Sequence, residues 1–134
     1  MNPLIIEATE FTPKVWFEPN FHIFEISGYS RPENVSGFYA PVVDYIQSYE
    51  KNVLNHLAPD NTIDFEINLK LKYFNSASSK YIIDIIDKLV KLNKKGLKTK
   101  LNWYYDQEDE VILEAGEDLS EILDVSFHYI EIKN

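Results

Sequence analysis

A chain of 134 residues can build one core of useful size but has little room for two domains. With 22 acidic against 13 basic side chains the formal net charge is −9, a balance that repels phosphate backbones and anionic lipid and so argues against nucleic acid and membrane as main partners. The absence of cysteine excludes disulfides, thiolate metal sites and a cysteine nucleophile, and it fits a reducing, cytoplasmic compartment. The first residues carry neither a basic stretch nor a long apolar one, so no signal peptide is expected. No apolar run is long enough to span a bilayer.

In chain order, short strands are expected at Leu4–Glu7, Lys14–Glu18 and Phe21–Ser27, the last two joined by a tight turn at Phe17–Asn20. Ser36–Leu54 sets Phe38, Val42, Tyr45, Ile46, Tyr49 and Val53 on one helical stripe. Pro41 lies inside that stretch, so the helix is expected to start near it or to kink. Thr62–Tyr73 alternates strictly, with Ile63, Phe65, Ile67, Leu69, Leu71 and Tyr73 on one face and Asp64, Glu66, Asn68, Lys70 and Lys72 on the other. That is a half-buried strand.

Tyr81–Leu92 returns to helical spacing through Ile82, Ile85, Ile86 and Leu89, and Gly96 is a natural stop. Lys98–Tyr105 alternates again, Glu108–Ile122 reads as a helix breaking at Gly116, and Val125–Ile132 as a final strand. Each strand–helix–strand step favours a parallel crossover. The expected fold is a two-layer α/β domain over residues 1–134: a mixed sheet with an antiparallel hairpin at its start, helices on one face and the other open to water. Parallel crossovers gather three loops at one sheet edge: Gly28–Asn34, Phe74–Ser79 and Asp106–Glu110. In open α/β sheets sites form at that carboxyl edge.

Enzyme signatures are scarce. His22, His56 and His128 form no pair with metal-ligand spacing, and the four glycines make no phosphate-cradling loop. The carboxylates from Asp106 to Asp124 include Asp109, Glu110, Glu114, Glu117 and Asp118. They could serve a small metal-dependent hydrolase, but their spacing matches no calcium loop and a solvated helical face explains them. The lysines from Lys88 to Lys100 suit a helix C-terminal end.

The loop Gly28–Val35 reads as a turn leading to a helix, with Asn34 or Ser36 as cap. In "YFNSASSK", Tyr73–Lys80, any of Ser76, Ser78 and Ser79 could cap the next helix. The same position suits a phosphate, because free N–H groups and the helix dipole stabilise an anion there.

Motifs running through nearly the whole chain carry a resemblance. They are Thr12-Pro13, G-x-S-x-P-E-N at Gly28–Asn34, F-Y-x-P at Phe38–Pro41, a Y-F-N run at Tyr73–Asn75 with Lys80 beyond it, W-x-Y at Trp103–Tyr105, and G-E-D at Gly116–Asp118. In this order and spacing they resemble the SiaC-type regulatory phosphoproteins of bacteria. The resemblance implies a fold similar to the anti-sigma-factor antagonists (STAS-like), and a partner switch with no enzymatic activity and no cofactor. It implies phosphorylation by an ATPase kinase of the histidine-kinase-like type and removal of the phosphate by a PP2C-type phosphatase. It also implies that the unphosphorylated form binds a diguanylate cyclase, raising cyclic di-GMP and promoting biofilm.

The family's phosphothreonine falls on Ser76, and its following serine on Ala77. The resemblance therefore makes Ser76 the expected acceptor, with Ser78 and Ser79 as alternatives. The expected partner interface comprises Ser30, Arg31, Pro32, Glu33, Asn34, Asn75, Ala77, Ser78 and Lys80.

Overall fold

A computed structural model describes residues 1–133. Among them lie six strands in one sheet, in the spatial order β1-β2-β3-β4-β5-β6. β1 (Leu4–Ile6), β2 (Lys14–Glu18) and β3 (Ile23–Ser30) pair antiparallel. β4 (Ile63–Phe74), β5 (Leu97–Asp106) and β6 (His128–Ile132) then add in parallel. Between the parallel strands run α1 (Val35–Asn52), α2 (Ser76–Lys91) and α3 (Glu110–Leu123). The chain thus has the two layers and the opening hairpin that its periodicity predicts.

The core lies between the sheet and the helices. The inward residues of β4, Phe65, Ile67, Leu69 and Leu71, are buried against Ile82, Ile85, Ile86 and Leu89 of α2. Each such side chain contributes about 1.5–3 kcal/mol on burial. Under α1, Phe17 meets Phe24, Tyr45, Tyr49 and Phe65 with ring centroids 4.8–5.9 Å apart. Under α3, the Trp103 indole stacks on Phe127 and donates from Nε1 to the Ile112 carbonyl at 2.9 Å.

The open face is polar. Register aligns Trp16, Glu25, Asn68, Asn102 and His128 in one row across five strands. Lys70 pairs with Glu25 at 2.9 Å and lies over the Tyr104 ring, while Asn102 donates to both Glu66 and Asn68.

Local boundaries differ from the sequence reading in five places. α2 begins at Ser76 rather than Tyr81, and its cap is Asn75, whose Oδ1 accepts from the Ser78 N–H at 2.9 Å. Asparagine is as good a cap as serine and stands one residue earlier. α1 runs from Val35 through Pro41, whose missing N–H leaves one helical bond unmade. Asn34 caps it by accepting from Gly37. α3 runs unbroken through Gly116, because that residue touches Trp103: an added Cβ would stand 2.5 Å from the indole nitrogen. His22 falls in the β2–β3 turn with φ 58°, and ladder pairing of the last strand begins at His128, not Val125.

Tyr39 and Tyr49 are fully buried, and loss of hydration pushes each phenol from 10.0 up to about 12. The neighbouring Ser30 and Ser78 hydroxyls offset part of this for Tyr39. The folded chain therefore holds both rings neutral at a pH where the unfolded chain ionises them. Stability should be intact below pH 10 and fall as pH rises towards 12. Urea midpoints between pH about 9 and 11.5 measure the fall. Tyr39→Phe should make it shallower, and an unchanged slope would refute this assignment.

Candidate functional site: the carboxyl edge and the start of α2

β3, β4 and β5 are parallel, so the loops leaving them emerge together. Two backbone bonds tie two of these segments and the β1–β2 loop into one surface. The Arg31 N–H donates to the Phe11 carbonyl at 2.7 Å, and the Asn75 N–H donates to the Ser30 carbonyl at 3.2 Å. The ends of β4 and β5 are clamped by Lys72 on Asp106 at 2.6 Å.

The three candidate serines have separate fates on the first turn of α2. Ser76 is exposed, and its hydroxyl has no hydrogen-bond partner among the described residues. Ser79 is half-buried and donates to the Ser76 carbonyl at 2.8 Å. Ser78 is fully buried and points inward. Its Oγ accepts from Ser30 Oγ at 2.8 Å and donates to the Ser30 carbonyl at 3.0 Å, and Ser30 Oγ also meets the Tyr39 hydroxyl at 2.5 Å. With one proton per hydroxyl, the order Tyr39 to Ser30 to Ser78 to the Ser30 carbonyl satisfies every group.

That network corrects two expected roles. Ser78 and Ser30 are both 0% exposed, so neither hydroxyl is open to a kinase or to a partner. Helix periodicity turns the third residue of α2 inward, and the end of β3 turns Ser30 to meet it. Arg31, Glu33, Asn34, Ala77 and Lys80 are exposed, and Pro32 and Asn75 are half-buried.

The electrostatics at Ser76 suit an anion. Its own N–H and that of Ala77 lie in the first turn, where no intrahelical acceptor exists, and the helix dipole is positive there. Lys80 lies one turn further along, at the i+4 position, and is exposed. The first turn holds no acidic residue.

Missed by the periodicity was a cluster of aromatics beside these loops. Tyr73 was expected on the helix-facing side. The β3–β4 register shifts between Gly28 and Tyr29, leaving Lys72 as an extra residue in β4. The slip turns Tyr73 outward, beside Tyr29 with ring centroids 6.5 Å apart, and turns Phe74 inward against Trp103. Gly28 was the available signal, since an isolated glycine in a strand often marks a bulge, and its φ is +105°.

The acidic stretch does not converge on a site. Asp106 is bound to Lys72, Asp109 caps α3 by accepting from Ile112, and Glu110, Glu114, Glu117 and Asp118 are exposed. Among the described residues no group of three or more acidic or histidine side chains could hold a metal ion. The hydrolase alternative therefore has no support in the geometry. In the lysine-rich stretch Lys88, Lys91 and Lys95 pair with Asp84, Asp87 and Glu50, as a solvated helix end requires. No described helix is long and apolar enough to cross a membrane.

Known proteins share this arrangement. A family model described as SiaC family regulatory phosphoprotein matches residues 6–132. A curated, uncharacterized protein of Pseudomonas aeruginosa strain UCBPP-PA14 is 29% identical over 129 residues, which is 96% of this chain and 94% of the relative. The activator SiaC of Pseudomonas aeruginosa, solved in complex with the diguanylate cyclase SiaD, is 28% identical with a TM-score of 0.78, over 98% of this chain and 99% of that one. Apo-SiaC from the same organism is 27% identical with a TM-score of 0.77, over 98% of each chain. With the family model spanning nearly every residue, this chain belongs to the SiaC family of regulatory phosphoproteins.

Proposed function

We propose that the chain is a non-enzymatic partner switch in which phosphate on Ser76 controls docking onto a diguanylate cyclase, so that the protein acts in cyclic di-GMP signalling in the cytoplasm. One observation carries the choice of acceptor: of the three serines on this turn, Ser76 alone is exposed with a hydroxyl not bonded to any described residue. The cyclase is supported by the relative that is solved with one. The exposed and half-buried residues around Ser76, namely Arg31, Pro32, Glu33, Asn34, Asn75, Ala77 and Lys80, form the docking surface in this reading. A kinase of the histidine-kinase-like ATPase type adds the phosphate and a PP2C-type phosphatase removes it.

The unphosphorylated form binds. Phosphate brings about −1.5 to −2 charges and three acceptor oxygens onto a surface that the partner must cover. Closing an interface over that charge without a cation to meet it costs several kcal/mol.

The test is to recover the protein from its native cells, map phosphate by peptide mass analysis with and without PP2C-type phosphatase, and follow cyclase activity on adding each form. Phosphate on Ser76 and activation by the dephosphorylated form alone are expected. Phosphate confined to another residue, or a cyclase indifferent to both forms, would count against the reading.

A further inference from the structure

β6 ends the sheet: among the described residues it pairs with β5 on one side and with nothing on the other. The ladder sets Ile132 opposite Asp106, and the Ile132 carbonyl accepts from the Gln107 N–H at 2.9 Å. Backbone direction alternates along a strand, so His128, Ile130 and Ile132 turn their N–H and C=O groups to β5, while those of Tyr129 and Glu131 point outward. Both residues are exposed. The other edge of the sheet is blunted, since β1 has three residues, Pro3 precedes it and the Tyr45 hydroxyl donates to the Asn2 carbonyl. β6 has five residues with no proline and no bulge. Of the usual devices against an added strand it has only a charge, Glu131. We propose that this edge accepts an extended segment of a partner protein as a seventh strand, with lysine or arginine at alternate positions and apolar residues between them. The inference stands apart from the Ser76 switch and needs no phosphate.

The chemistry of the occupant follows from the two faces it would meet, because side chains of an added strand fall alternately on each. On the helix face they meet Tyr129, Glu131 and the flank of α3. The Tyr129 hydroxyl marks that flank by donating to Ser120 Oγ at 3.3 Å. Glu117 and Asp124, three residues before Ser120 and four after it, share the flank and are exposed. On the open face they meet His128, Ile130 and Ile132, and the two isoleucines are half-buried.

Charge selects among possible strands. Residues 107–133 carry nine of the 22 acidic side chains and, of the 13 basic ones, Lys133 alone. Nearly all of the chain's net charge of −9 therefore sits on this one side, and none of the nine carboxylates is in an ion pair among the described residues. Two copies joined antiparallel along β6 would keep both helix layers on one face and bring two acidic α3 flanks together, which like charge opposes. A segment with cations on the helix face and apolar side chains on the open face meets both surfaces favourably.

The experiment titrates the nitrogen-labelled full chain with two capped synthetic peptides of one composition, Lys-Val-Lys-Val-Lys-Val-Lys and Lys-Lys-Lys-Lys-Val-Val-Val, and follows the backbone amide resonances. The alternating peptide should bind at least fivefold more tightly than the blocked one, move the Tyr129 and Glu131 amides most and slow their hydrogen exchange. Its affinity should fall roughly tenfold between low salt and about 0.3 M. Glu131→Pro removes one outward donor, a change that edge strands tolerate, and should weaken the alternating peptide at least fivefold. Glu117→Lys leaves the edge backbone intact and should weaken it at least threefold, while the exposed control Asp64→Lys changes it less than twofold. Unchanged melting confirms that each variant is folded. Equal affinity for the two peptides, equal binding to wild type and Glu131→Pro, or no binding of the alternating peptide overturns the proposal. Self-association of the chain that Glu131→Pro disperses would make the occupant a second copy, and overturns it too.

Discussion

Ser76→Asp should weaken cyclase binding by about a hundredfold, equivalent to about 2.7 kcal/mol, while melting at or slightly above the wild-type temperature. The two effects have one cause. A carboxylate at the first helical position meets free N–H groups and the positive end of α2, which stabilises the isolated chain by about 0.3–1 kcal/mol. The same charge has to be covered by the partner. Aspartate carries one charge where phosphate carries nearly two, so the true phosphoprotein should bind more weakly still. Ser76→Ala should bind as the unphosphorylated wild type does.

The control lies two residues away. Ser78→Asp places a carboxylate at a fully buried position against Ser30 and Tyr39. It should fail to fold, since an unpaired buried charge costs more than most domains can spare. Titration of the cyclase by calorimetry, beside thermal melts, separates these outcomes. Ser76→Asp binding within threefold of wild type would end the case for Ser76.

The second large effect is on stability. Trp103→Ala should cost about 3–5 kcal/mol, because the fully buried indole fills the space between α3, Phe127 and Phe74 and satisfies the Ile112 carbonyl. Gly116→Ala should also destabilise. Helix propensity favours alanine by about 1 kcal/mol, but a Cβ 2.5 Å from the indole nitrogen forces Trp103 or α3 to move, at about 1–3 kcal/mol or more. The decisive measurement is the pair. With Trp103→Leu already present, adding Gly116→Ala should become neutral or stabilising, since the clash is gone and only the propensity remains. Denaturant midpoints give all four corners of the cycle. If Gly116→Ala remains as damaging with leucine at 103 as with tryptophan, the contact is not its cause.

How much of this was legible in the chain follows from how local each signal is. The alternation in Ile63–Leu71 and the spacing of Ile82, Ile85, Ile86 and Leu89 are properties of neighbours, and they placed β4, α2 and the order of layers. Tyr73 was misplaced because a register slip belongs to a pair of strands, and nothing in β4 by itself records it. Gly116 looked like a breaker because its reason for being glycine, Trp103, is thirteen residues away in another element. Ser30 and Ser78, forty-eight residues apart, read as surface serines because each is satisfied only by the other and by Tyr39. Ser76 was singled out through the resemblance; the residues alone left three serines equivalent, and burial is what separates them.

The hydroxyl chain from Tyr39 through Ser30 to Ser78 fastens the opening turn of α2 to the end of β3 and to α1 from beneath. A hook of this kind leaves the outer surface of the turn free to change its chemistry while its backbone stays where it was. Signalling through such an element needs no melting and no reassembly: the two forms would superimpose, and the message would reside wholly in what the surface repels. Response time would then be governed by the enzymes that write and erase the mark, with no added delay from the receiver reshaping itself.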